Sequence, residues 1–191
     1  MEEAERFPRL VSLACHDLRT PLATIYGFAR TLTRSGDYDE RTMRFLGMIE
    51  AAAEQMTEQL DDLGVAARIK GGRFDPLIRE ADTLDLARSE DARIETVGSG
   101  EQVETDAEAV QGALSALAIA AIRHGPVERV TWTVDGRSLT LAPVTDAAAP
   151  VVLGEQIRDL GALVARLVVE ALDGSVALDG GSLRVVLRQP P

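Results

Sequence analysis

The sequence predicts an α+β protein in which a hairpin of two long helices precedes an α/β sandwich. Two apolar stripes at helical spacing occupy the first part of the chain and predict the helices. The pair Gly71-Gly72 then marks a boundary, after which the period of the apolar pattern changes. We therefore expect two domains, a helical hairpin over residues 1–70 and a mixed domain over residues 73–191.

The composition is that of a folded, acidic protein. The 191 residues carry 31 Asp and Glu against 20 Lys and Arg, for a net charge of −11, and 46% of them are hydrophobic. This hydrophobic share suits a packed core, and the acidic balance argues against a general nucleic-acid binder. The single cysteine, Cys15, excludes a disulfide within the chain and a cysteine-based zinc site. The presence of only two histidines, His16 and His124, argues against a histidine-rich metal site.

The sequence shows no signal for a membrane. No apolar run approaches the roughly 20 residues that span a bilayer. The acidic N-terminus also lacks the basic start of a signal peptide. We therefore expect a cytoplasmic protein without membrane association.

The first helix, expected over residues 3–34, has one apolar seam. Its members are Val11, Ala14, Leu18, Leu22, Ile25, Ala29 and Leu32. At about 100° per residue, His16 lies about 200° from both Ala14 and Leu18, so its imidazole is expected to face solvent. Pro21 removes the backbone donor that would bond to the carbonyl of Asp17, which loosens the turn after the histidine.

The second helix, expected over residues 40–67, follows a break that contains Gly36 as a C-cap and Asp37 or Asp39 as an N-cap. Its seam consists of Phe45, Ile49, Ala52, Met56, Leu60, Leu63 and Ala67. Two antiparallel helices with one stripe each cannot close a core alone. We therefore expect two hairpins to pair as a homodimer with a four-helix bundle.

The remaining chain alternates short strands with helices. Helices are expected at residues 76–88, weakly, and at 106–123 and 156–172. Strands are expected at residues 93–98 and 102–105, and in two hairpins, 129–134 with 138–141 and 176–178 with 183–187. Clean βαβ units are missing from this order, which favours an α+β sandwich.

The segment His-Asp-Leu-Arg-Thr-Pro-Leu at residues 16–22 resembles the phospho-acceptor box of two-component sensor histidine kinases. The resemblance implies that His16 accepts a phosphoryl group and that residues 1–70 form the dimerisation and histidine phosphotransfer domain. Because this helix begins almost at residue 1, we expect no sensor domain ahead of it.

For three residues close to His16 in the sequence, a functional role stands beside a purely structural one. Asp17 is expected to hydrogen-bond one imidazole nitrogen and leave the other as the nucleophile, unless it is only a solvated charge. In the family, the position of Thr20 helps to orient a hydrolytic water; the alternative is that this side chain caps the proline turn. Arg19 is expected to contact a partner or to form a surface salt bridge.

Residues 73–189 resemble the ATP-binding domain of the same kinases, but their nucleotide motifs are altered. Where the family has two asparagines, one of them a magnesium ligand, this chain has Ala116 and Ala120, which supply no oxygen. The family's Asp-x-Gly-x-Gly box corresponds to residues 146–150, which contain no glycine. In the box that cradles phosphate, Asp159 is expected to place a repulsive negative charge near the triphosphate.

We therefore expect a histidine phosphotransferase of a phosphorelay, similar to a dimeric kinase whose ATPase domain has decayed. His16 would carry a phosphoryl group between the aspartates of response regulator receiver domains. The protein would need no cofactor or metal of its own, because the receiver supplies Mg²⁺. Two alternatives stay open: an atypical sensor kinase that still uses ATP, and a non-catalytic protein that binds a response regulator or a sigma-like partner.

Overall fold

The structure, a computed structural model, describes the backbone of residues 2–188 and the side chains of residues 6–188. Residues 1 and 189–191, at the ends of the two predicted domains, lie outside the described residues. The chain divides into two compact units, one ending at Arg73 and the other beginning at Phe74. None of the helices described here combines the length and the apolarity needed to cross a membrane.

The first unit is a hairpin of two long helices, α1 (Glu2–Ser35) and α2 (Glu40–Lys70). The link between them turns at Gly36, whose φ of +77° lies in the left-handed region that favours glycine. Asp39 is the N-cap of α2, and its carboxylate accepts a hydrogen bond from the Thr42 amide at 2.8 Å. The sequence predicted Asp37 or Asp39 as the N-cap, and the structure has Asp39 in that position.

Within one hairpin, α1 buries a narrow stripe of residues spaced one heptad apart. These residues are Pro8, Cys15, Leu22 and Ala29. The buried residues of α2 are equally small or medium in size, namely Leu46, Ala53, Gly64 and Ala67. The small side chains at these positions allow the two helices to approach each other closely along their length.

The prediction of a single seam on each helix is wrong in part. Leu22, Ala29 and Ala67 of the predicted seams are buried inside the hairpin. The larger seam residues remain between 38% and 54% exposed, at Leu18, Ile25, Leu32, Phe45, Ile49, Met56 and Leu63. Each helix therefore has two adjacent apolar stripes. The inner one closes the hairpin, and the outer one is left uncovered in a single chain.

The second unit is built on a five-stranded sheet in the order β2-β4-β5-β7-β6, in which β2 and β4 are parallel and the other pairs are antiparallel. Its strands are β2 (Ile94–Gly100), β4 (Val130–Gly136), β5 (Ser138–Ala142), β6 (Ser175–Asp179) and β7 (Ser182–Val186). Two further strands, β1 (Arg79–Asp82) and β3 (Gln102–Thr105), form a separate antiparallel pair.

Up to residue 188, where the description ends, this unit also contains four helices: α3 (Thr83–Ala87), α4 (Ala107–His124), α5 (Ala149–Val152) and α6 (Leu160–Ala171). Alternate residues of β4 are buried, at Val130, Trp132 and Val134, so one face of the sheet contributes to the core. Helices α4 and α6 pack against each other and bury long apolar stripes. Sheet and helices together form the α/β sandwich that the sequence predicts.

Two element predictions in this unit are wrong. Residues 76–88 contain strand β1 and the short helix α3, because residues 79–82 pair with β3, a partner that lies about twenty residues further along the chain. The helix expected over residues 156–172 begins only after its N-cap Asp159, and the short α5 before it was not predicted. Both errors arise where tertiary pairing or capping decides the boundary.

Candidate functional site

His16 lies in the middle of α1 with its side chain 78% exposed. Its Nδ1 atom is 3.2 Å from an Oδ1 atom of Asp17, whose side chain is 67% exposed. A carboxylate at Nδ1 favours the tautomer that carries its proton there, so Nε2 then holds the lone pair. In that tautomer Nε2 is the unprotonated nitrogen of the exposed ring.

An open surface depression surrounds His16 on one side of α1. It is lined by His16, Arg19, Thr20, Ala23 and Thr24. The Thr24 hydroxyl donates to the carbonyl of Thr20 at 3.1 Å, so it is occupied by the helix backbone. Ala23, which also lines the depression, contributes only a methyl group beside the imidazole.

Helix α1 continues through Pro21 without interruption. Pro21 has no amide hydrogen, so the carbonyl of Asp17 loses the backbone donor it would have in a regular helix. Because the helix shows no break here, the loosening of the turn after His16 stays a prediction from the sequence.

Arg19 is the site residue that connects the two helices, because its guanidinium forms a salt bridge with the carboxylate of Asp61 on α2. The sequence reasoning missed Asp61. It lies 42 residues from Arg19, and no local pattern marks it as a site residue. His16, Arg19 and Thr20 therefore share one depression, Asp17 borders it, and Asp61 adjoins it from the second helix.

In the second unit, Ala116 and Ala120, which stand where the family has its two asparagines, lie on α4. Ala120 is fully buried among the apolar residues of that helix, and Ala116 is half-buried. Neither side chain has an oxygen with which to bind a hard cation such as Mg²⁺.

Asp159 is the buried N-cap of α6, and both of its carboxylate oxygens accept hydrogen bonds. Oδ1 accepts from the Ala162 amide at 3.1 Å, while Oδ2 lies 2.8 Å from a guanidinium nitrogen of Arg123 and 3.0 Å from Nε2 of His124. Burial alone would raise the pKa of Asp159, but the Ala162 amide, His124 and Arg123 together hold it below its usual value. The sequence predicts that the negative charge of Asp159 repels a triphosphate. In the structure this carboxylate is paired with the Arg123 guanidinium and hydrogen-bonded to His124, both on α4.

A helical hairpin that exposes a histidine of this kind, followed by a sheet-and-helix domain, is the architecture of two-component histidine kinase-like proteins. The comparisons agree, because residues 9–72 match the family model of the His Kinase A (phospho-acceptor) domain. The chain is therefore similar to two-component histidine kinases, and the match to the phospho-acceptor domain lies within its first unit.

Two curated relatives share part of this chain. The sensor protein DivL of Caulobacter vibrioides is 34% identical over 87 residues, which are 45% of this chain and 11% of DivL. The probable sensor histidine kinase TcrY of Mycobacterium tuberculosis is 35% identical over 80 residues, which are 42% of this chain and 16% of TcrY. This chain thus covers less than a fifth of the length of either relative.

Two solved structures share the fold. Full-length ShkA in complex with AMPPNP has a TM-score of 0.67 at 17% identity, over 96% of this chain and 47% of that one. The histidine kinase AdeS of Acinetobacter baumannii has a TM-score of 0.58 at 18% identity, over 92% of this chain and 98% of that one. At this level of identity the likeness concerns the fold, and it confirms the predicted fold class.

Proposed function

We propose that this chain is a phosphotransferase of a two-component phosphorelay, in which His16 carries a phosphoryl group between receiver domains. The observation that carries the proposal is the exposed imidazole of His16, with Asp17 at Nδ1 and Nε2 open to a partner. In the transfer step, the bond between phosphorus and the receiver's aspartate oxygen breaks, and its electron pair leaves with the carboxylate. A bond from Nε2 to phosphorus forms in the same step, and the Nδ1 proton stays in place.

The neighbouring residues support this step. Asp17 orients the ring and offsets the positive charge that develops on it, as a carboxylate does for the histidine of a catalytic triad. Thr20 lines the same depression as His16, and in this proposal it positions a water during hydrolysis of the phosphohistidine. The receiver supplies the Mg²⁺ for its own aspartyl phosphate, and the hairpin acts as a homodimer whose outer apolar stripes are paired.

The second unit does not fit a magnesium nucleotide. Ala120 is buried without an oxygen at the position where the family places its magnesium ligand. The N-terminus of α6, where phosphate would be cradled, is capped by the carboxylate of Asp159. Both features support transfer between receivers as the source of the phosphoryl group.

The second candidate function is a histidine kinase that phosphorylates His16 from ATP. The comparisons favour this alternative over the phosphotransferase, because the curated relative TcrY is a probable sensor kinase and the ShkA structure contains a nucleotide analogue. The two functions differ in the donor of the phosphoryl group, which is ATP for the kinase and a phosphorylated receiver for the phosphotransferase. The deciding experiment offers the full chain radiolabelled ATP in one reaction and a radiolabelled phosphorylated receiver in another. Label from the receiver alone supports the phosphotransferase, and label from ATP establishes the kinase.

We predict that isothermal titration calorimetry with Mg-ATP shows no binding up to millimolar nucleotide. The reason is that Ala116 and Ala120 provide no magnesium ligand and that Asp159 occupies the N-terminus of α6. A histidine kinase with both asparagines intact serves as the positive control. A dissociation constant in the micromolar range would overturn the phosphotransferase in favour of the kinase.

We predict that Asp17→Asn slows phosphoryl transfer to His16 by about 100-fold to 10,000-fold, the range for loss of a general acid–base or triad partner. Asparagine keeps the shape of the side chain but loses the charge that stabilises the imidazolium. The rate is measured by quenched-flow transfer from a phosphorylated receiver. The control is Asp37→Asn, which removes an equal charge from the link between the helices; equal rates in the two variants would contradict the role of Asp17.

A further inference from the structure

Asp61 of α2, which the sequence did not single out, adjoins the candidate site through its salt bridge with Arg19. We propose that Asp61 is a positioning residue that holds the Arg19 guanidinium away from Nε2 of His16 and releases it when a phosphoryl group arrives. Asp61 thereby sets how the phosphoryl group is shared between His16 and the receiver. This inference rests on the proposed function, because it assumes that His16 is phosphorylated.

The position of Arg19 on α1 allows it two partners. Arg19 follows His16 by three residues, so the two side chains are neighbours on the helix surface. At about 100° per residue, Arg19 lies about 60° around the helix from His16 and about 60° from the buried Leu22. Its long side chain therefore stands between the exposed depression and the face that packs on α2, from which Asp61 reaches it.

The two partners compete for one cation. A phosphoryl group carries close to two negative charges and matches the fork of a guanidinium, which binds such groups in a bidentate manner. The present partner is one carboxylate, and the side chains of Arg19 and Asp61 are 45% and 56% exposed. A pair this exposed is weak, so the arriving phosphoryl group can displace Asp61.

A second interhelical contact of the hairpin provides a matched control. The Tyr26 hydroxyl donates to a carboxylate oxygen of Glu54 on α2 at 2.9 Å, and neither residue lines the depression at His16. Glu54→Gln thus alters an acidic partner on the same helix without touching the site.

The test measures the equilibrium distribution of label between the full chain and a phosphorylated receiver at fixed concentrations. Asp61→Asn is expected to raise the equilibrium constant toward phosphohistidine by up to about fivefold, the scale of an exposed ion pair. Arg19→Gln is expected to lower it. The double variant is expected to match Arg19→Gln alone, because Asp61 acts only through Arg19. Glu54→Gln and Asp61→Glu are expected to stay at the wild-type value, and thermal unfolding of each variant reports on structural damage.

The outcomes separate this inference from the function on which it rests. If the wild-type chain takes label but Asp61→Asn leaves the distribution unchanged, Asp61 is only a brace between the helices, and the inference is wrong. An additive double variant also overturns it, since Asp61 would then act without Arg19. If the wild-type chain takes no label from any phosphorylated receiver, the proposed function itself fails and the inference with it.

Discussion

Replacing His16 by glutamine abolishes labelling of the chain by a phosphorylated receiver. Glutamine keeps the approximate size and polarity of the side chain but has no ring nitrogen to attack phosphorus. Since the His16 side chain is 78% exposed on α1, the change leaves the helix and its packing intact. The expected result is complete loss of label, measured by autoradiography, with the circular dichroism spectrum unchanged.

The chemistry of the label and one matched variant complete this test. A phosphohistidine is a phosphoramidate, so the label is expected to be lost in acid and retained in base, unlike a serine ester or an acyl phosphate. His124→Gln alters the other of the two histidines, which lies beside Asp159 in the second unit, and is expected to keep the label. Transfer that persists in His16→Gln would place the phosphoryl group elsewhere and reduce α1 to a scaffold.

Replacing Ile25 or Ile49 by aspartate is expected to convert the proposed dimer into a monomer. Both isoleucines belong to the outer apolar stripes and are 51% and 45% exposed in the single chain, where only a second hairpin would cover them. A charge introduced there would be buried without a partner, which costs several kcal/mol at an interface between two chains, on the order of the penalty for an unpaired buried ion. Sedimentation velocity at micromolar concentration measures the result.

The control for the dimer places the same charge elsewhere on the hairpin. Thr31→Asp introduces an aspartate at an exposed position of α1 outside the apolar stripes, and is expected to remain dimeric. A wild-type chain that sediments as a monomer at micromolar concentration would show that the outer stripes have a different purpose.

Local signals predicted much of this fold because they act over a few residues. The N-caps Asp39 and Asp106 each accept a hydrogen bond from an amide three residues later, and the hairpin turn at Gly180-Gly181 uses positive φ at both glycines. What local signals could not show is which of two adjacent apolar stripes closes the hairpin. Leu22 and Ile25 belong to the same sequence pattern, yet only Leu22 is buried in the single chain.

In the candidate site, too, local sequence signals predict some features, and the packing of the two helices decides the others. The exposure of His16 follows from helix phase, and Asp17 contacts it because the two are adjacent in sequence. The partner of Arg19 depends on how α1 and α2 align over their whole length, so Asp61 was not predictable from spacing. Similarly, the contacts of Asp159 with Arg123 and His124 join residues about 35 positions apart, so no local pattern could predict them.

The Asp159 cluster and the buried Ala120 tie the stability of the second unit to residues that stand where the family has its nucleotide motifs. An asparagine restored at position 120 would have to fit where Ala120 is fully buried, and overpacking of that kind destabilises a core. Removing Asp159 first would leave Arg123 and His124 without their shared acceptor and α6 without its N-cap. Either substitution toward the family's nucleotide motifs is therefore expected to lower the free energy of unfolding of the second unit.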